Sequence, residues 1–117
     1  MPLDGKALAK ACGGKKLAVN TSLCRLQLEE FQRLAAQGKP MLLACTQEAP
    51  LFIETLDEIE GAPEIHFTNI RERAGWSAEG AKAIPKMAAL LAEAALDIPQ
   101  TTSVGMESAG SLLVIGT

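Results

Sequence analysis

Apolar and polar positions alternate along the chain in blocks that predict four helices and four strands. Leu3 to Ala11 is weakly helical through Leu8 and Ala11, and Cys12-Gly13-Gly14 reads as its C-cap and turn. Lys16 to Thr21 reads as a first strand, with Ser22 placed to cap the next helix. From Leu23 to Gln37, Leu23, Leu26, Phe31, Leu34 and Ala35 share one stripe, while Arg25, Glu29, Glu30, Gln32 and Arg33 fill the rest. Gly38 stops that helix. Met41 to Cys45 is an unbroken apolar run, the signature of a strand buried on both faces.

A further helix is expected from Thr46, with Pro50 in its first turn and Phe52, Leu56 and Ile59 at i, i+4 and i+7. Gly61-Ala62-Pro63 ends it. Ile65 to Ile70 alternates like a strand, and Arg71 to Trp76 reads as a polar loop. Ser77 is expected to cap an Ala- and Leu-rich helical region that runs to Leu96. Pro85 kinks it or marks its effective start. Residues 97–111 read as a linker, and Leu112 to Thr117 as a terminal strand. That last run has two readings. It completes this domain's own sheet, or it leads into the glycine loop of a dinucleotide-binding domain that the chain does not contain. The alternation of strand and helix predicts an α/β fold, a mostly parallel sheet of about four strands in a three-layer sandwich.

Composition narrows the function. The chain has 117 residues, 48% of them hydrophobic, which is one domain's worth. A net charge of −3 lacks the basic face of a nucleic-acid binder. With three Phe, one Trp and no Tyr, there is little on which bases or sugars could stack. Met1-Pro2-Leu3-Asp4 has no basic start followed by an apolar run, and no apolar stretch is long enough to span a bilayer. A cytoplasmic protein without membrane insertion is the expectation. In that compartment its three cysteines are reduced thiols, metal ligands or catalytic groups rather than a disulfide framework.

Cys12, Cys24 and Cys45 are the candidate chemistry. Cys12 lies in a glycine turn, Cys24 between the first strand and its helix, and Cys45 at the carboxyl end of a buried strand. Carboxyl ends of strands are where open α/β sheets place ligands. Three thiols meeting there would make soft ligands for iron–sulfur or zinc. Against this, the spacings Cys-x11-Cys and Cys-x20-Cys contain no close pair, and cysteine is often simply buried. His66, the one histidine, reads as a half-buried strand residue, with a fourth ligand as its functional alternative. Arg71 would neutralise a cluster or an anion, or stand as a solvated loop charge. Trp76 reads as a packing anchor for the long helix.

Several of these segments recur together in one family. Cys12-Gly13-Gly14, Cys24, Ala44-Cys45 with Pro50 and Phe52, Asn69-Ile70-Arg71-Glu72 with Trp76, and the closing Leu113-Val114-Ile115-Gly116 appear in that order. The chain thereby resembles the N-terminal region of the iron–sulfur flavoprotein subunit of heterodisulfide reductase and its bacterial relatives. The resemblance implies an α/β domain that holds a [4Fe–4S] or [3Fe–4S] cluster through Cys12, Cys24 and Cys45, with Arg71 nearby. It implies an electron-transfer role in a larger oxidoreductase. FAD and ferredoxin-type modules would be partners outside this chain, and Gly116 the first glycine of a dinucleotide loop. Two departures stand out. The family tends to carry a cysteine where this chain has Ala74, and the interval from Cys12 to Cys24 is shorter here. The alternative reading is a cluster-free α/β module that docks or scaffolds within a redox complex. A third is a thiol enzyme using Cys45 or Cys24 as nucleophile.

Overall fold

The computed structural model describes residues 3–97 together with Val104, Gly105, Glu107 and Gly110. The expected strand at 112–117, Gly116 within it, and most of the expected linker lie outside the described residues.

Four α-helices and two strands are present among the described residues: α1 Gly5–Ala11, α2 Leu28–Ala35, β1 Met41–Leu43, α3 Ala49–Asp57, β2 Ile65–Phe67 and α4 Ile84–Ala94. A π-helical turn, Arg71–Gly75, and a 3₁₀ turn, Gly80–Lys82, separate β2 from α4. The strands pair in parallel, with Met41 opposite Ile65, Leu42 opposite His66 and Leu43 opposite Phe67. The α/β character is as expected, a small parallel sheet flanked by helices, and among the described residues the sheet has two strands rather than a sandwich of about four.

The expected strand at Lys16 to Thr21 does not form. Its apolar side chains are used elsewhere: Leu17 packs on the core formed by α1 and α4, and Val19 lies against Gly5, where a β-carbon would press on it. A strand exists only through its ladder, so β propensity alone leaves this segment irregular. Nor is β1 buried on both faces. Met41 and Leu43 turn inward and Leu42 stays 37% exposed, because helices cover only part of a sheet this narrow.

Two apolar cores result. Leu8, Ile70, Ala74, Met87 and Leu90 join α1, the π-helical turn and α4. Phe31, Ala35, Phe52 and Leu56 join α2 and α3, and Met41, Leu43, Ile65 and Phe67 pack on them from one face of the sheet. The Thr68 hydroxyl, just past β2, donates to the Leu90 carbonyl at 3.4 Å and ties the sheet to α4.

Helix ends obey local chemistry. The Asp4 carboxylate accepts from the Lys6 and Ala7 backbone amides at 3.0 and 2.9 Å and caps α1. Gly13 and Gly14 both adopt positive φ just after it, as the expected turn requires. Replacing Asp4 with alanine is expected to cost about 1 kcal/mol in thermal denaturation. A loss below about 0.3 kcal/mol would show the cap to be dispensable. Pro50 and Pro85 each stand in the first turn of their helix, so Pro85 starts α4 rather than kinking it. Ser77 does not cap α4. Its hydroxyl donates back to the Ala74 carbonyl at 2.9 Å and closes the π-helical turn instead.

Candidate functional site

Three segments carry the candidate residues, two of them leaving the carboxyl ends of β1 and β2. The first is a turn between Asn20 and α2. The Gln27 side chain holds it, accepting from the Thr21 and Ser22 amides at 3.1 and 3.0 Å and donating to the Asn20 side chain at 3.3 Å. The Ser22 carbonyl accepts from the amides of Arg25, Leu26 and Gln27. This folding back delays α2 to Leu28, past the expected start at Leu23, and sets Cys24 in non-helical backbone. The second segment, Ala44 to Glu48, leaves β1 and carries Cys45. It occupies the first residues of the expected helix, so α3 begins at Ala49 rather than at Thr46.

The third segment is the π-helical turn, expected as a polar loop. Its wide winding shows in the Gly75 amide bonding to the Ile70 carbonyl at 3.0 Å and the Trp76 amide to the Arg71 carbonyl at 2.8 Å. The Asn69 side chain accepts from the Glu72 amide at 3.0 Å and starts the turn. Such insertions cluster at functional sites. This one turns Ala74 into the core and sets Arg71 on a small cavity that Cys45 also lines.

Arg71 is densely partnered. Its guanidinium donates to Glu72 at 2.7 and 3.0 Å and to the Gln47 side chain at 2.6 Å. It also lies over the Trp76 ring, 4.4 Å from the centroid. Trp76 is therefore a lid on Arg71, 60% exposed, and not the packing anchor of the long helix. The hydrogen bond to Glu72 raises the Arg71 pKa above its ordinary value, and the Glu72 charge adds to it. The same hydrogen bond holds the Glu72 carboxyl below the usual carboxylate range. A cavity of about 50 Å³, room for no more than a few waters, is lined by Ala44, Cys45, Thr46, Asn69, Arg71 and Glu72.

The cysteines divide between the two cores. Cys24 and Cys45 pack against the core of Phe31, Ala35, Phe52 and Leu56. Cys12 packs against the other, that of Leu8, Ile70, Ala74, Met87 and Leu90. All three are free thiols and partly exposed. Among the described residues, no three His, Cys, Asp or Glu side chains gather as a metal ion would need. His66 stands apart from this edge. Its side chain is 49% exposed and its Nε2 lies 3.1 Å from Glu64, beside a wider groove lined with Ala95, Leu96 and Asp97.

An iron–sulfur cluster takes three or four protein donors, usually thiolates. The described residues set Cys45 and Arg71 on one small cavity and pack Cys24 on the same core as Cys45, an arrangement that does not enclose such a group. Sequence reasoning identifies Cys24, Cys45 and Arg71. It misses Gln27, Gln47 and Asn69, whose amide side chains carry no motif and act only through their partners.

Comparison with protein families, curated proteins and solved structures finds no match for this chain. Among the described residues, no helix is long and apolar enough to cross a membrane.

Proposed function

We propose that this chain is an electron-transfer module of an iron–sulfur flavoprotein oxidoreductase of the heterodisulfide reductase type. The observation that carries the reading is the small cavity shared by Cys45 and Arg71 after β1 and β2, with Cys24 packed on the same core as Cys45. The ordered set of segments shared with that family supports it. In this reading Cys24 and Cys45 are two of this chain's thiolate donors, with Cys12 the third that the resemblance implies. The group itself, when bound, supplies one-electron redox chemistry. The chain's residues do the rest. Gln27 holds the Cys24 turn, and Arg71, clamped by Gln47 and Glu72, keeps a positive charge beside the thiols. Flavin and ferredoxin-type modules are the partners, and the cytoplasm is the compartment.

Iron and acid-labile sulfide analysis after anaerobic reconstitution tests this. Iron and sulfide are expected on the wild-type chain and are expected to be lost in Cys24→Ser and Cys45→Ser. Wild-type protein that stays free of iron would overturn the reading.

One observation favours a second reading, a cluster-free module that docks redox partners. Ala74, where the family tends to carry a cysteine, is 2% exposed and filled into the apolar core with Leu8 and Met87. In that reading both cysteine variants leave the cofactor content of the parent protein unchanged.

A further inference from the structure

The parallel pair of β1 and β2 has two open edges. The Met41 amide donates to the Glu64 carbonyl and the Thr68 amide to the Leu43 carbonyl, each at 2.9 Å. Alternate residues of a parallel ladder face the partner strand, so the backbone groups of Met41, Leu43 and His66 point inward and those of Leu42, Ile65 and Phe67 point outward. Among the described residues no further strand pairs with either outer edge. We infer that Leu112 to Ile115, which lies outside the described residues, docks on the outer edge of β1 beside Leu42 as a third parallel strand.

Three observations carry this. The first is the path of α4. The Thr68 hydroxyl bonds to the Leu90 carbonyl within α4, while Ala95, Leu96 and Asp97, just past its end, line a groove with Glu64 and His66 at the amino end of β2. The helix therefore runs back along β2, and the chain leaves it at the end of the sheet where a parallel strand has to begin. The second is the face. His66 and Thr68 lie on the α4 side of the sheet, and Ile65 and Phe67 on the side that packs with α2 and α3. Connections between parallel strands are right-handed in nearly all sheets, so helices on opposite faces lead the chain in opposite directions. The α3 crossover carries it from β1 to β2, and the α4 crossover carries it back past β1, to the edge of Leu42. The third is fit. Leu112 to Ile115 is wholly apolar and half β-branched, and Leu42 on the receiving edge is exposed. Residues 98–111 span about 45 Å when extended. The new strand would lie only about 10 Å from β2. With it in place β1 becomes the central strand, so Cys45 leaves the middle of the sheet rather than its edge.

Backbone NMR of the full chain tests the docking. Nuclear Overhauser contacts are expected between Leu42 and residues 112–115. The Leu42 amide should be protected from exchange, and the Ile65 and Phe67 amides, on the other edge, should not. A double variant, Leu113→Pro with Val114→Pro, removes whichever of these neighbouring amides faces β1. It should speed Leu42 exchange about tenfold or more, while the Leu43 amide, paired with β2, changes little. Contacts from residues 112–115 to Ile65 or Phe67, or an unprotected Leu42 amide in the wild-type chain, would overturn the inference. So would Leu42 exchange that the double variant leaves unchanged. Contacts seen only between chains of different isotope label would assign the edge to a second copy and overturn it as well. None of these readouts involves iron, so this inference and the iron–sulfur reading fail separately.

Discussion

Phe52→Ala is expected to remove about 3–5 kcal/mol of stability, the cost of emptying a fully buried aromatic site. Domains of this size hold about 5–15 kcal/mol in total, so the variant should be largely unfolded at moderate urea. The magnitude comes from where Phe52 sits. It has no exposed surface, and its ring lies 4.7 Å from Phe31 and 6.5 Å from Phe67, centroid to centroid. It therefore joins α3 to α2 and to β2. Collapse into the void is resisted because each neighbour is anchored on a different element. The consequence extends to function, because Cys24 and Cys45 pack on the same core. Loss of Phe52 should free both thiols to react fully with a thiol reagent, while Phe52→Leu, which keeps most of the volume, should lose less stability. Urea denaturation monitored by circular dichroism measures the first effect. A Phe52→Ala loss under about 1 kcal/mol would mean that the three elements are not held through this ring.

Gly80→Ala carries the second large effect. Alanine is the better helix former in most contexts, so a sequence-based expectation would favour the substitution. The structure reverses the sign. A β-carbon at Gly80 would run into the Gly75 carbonyl oxygen, with the Gly75 carbonyl carbon 3.1 Å away. These are backbone atoms, and no side-chain rotation relieves the clash. Gly75 is itself buried at the end of the π-helical turn that carries Arg71. The expected cost is about 1–3 kcal/mol, the range for overfilling a tight contact. The turn must also shift, and Arg71 with it. Trp76 is the only tryptophan in the chain and lies against Arg71, so its fluorescence reports this locally. An altered Trp76 emission together with reduced stability is the expected result. Stability within about 0.5 kcal/mol of wild type, with unchanged emission, would show that the two turns do not touch.

These two variants mark the limits of what the chain order makes legible. The stripe through Phe31 and Ala35, and the Phe52 and Leu56 spacing, are helical periodicities that pack as expected, but Leu26, expected on the same stripe, is 88% exposed because the turn before α2 takes it out of the helix. The Gly13-Gly14 turn and the starts of helices at Pro50 and Pro85 rest on local backbone chemistry and are equally readable. The segment from Lys16 to Thr21 misleads, because β propensity says nothing about whether a partner strand is present. The segment from Arg71 to Trp76 looks like a loop because its only buried side chain is one alanine. The π-helical winding depends on Asn69 capping one end and the Ser77 hydroxyl closing the other.

The candidate site divides in the same way. Cysteine and arginine announce themselves by residue type, so Cys24, Cys45 and Arg71 are identifiable without coordinates. What the chain order determines by itself is the set of short-range decisions: helix periods, glycine turns, proline starts, and which residues carry reactive atoms. Only the tertiary structure decides how far those residues converge. Among the described residues two cores form, and packing sends Cys12 to the first and Cys24 with Cys45 to the second. That sorting depends on contacts between residues far apart in the chain, which no local pattern encodes.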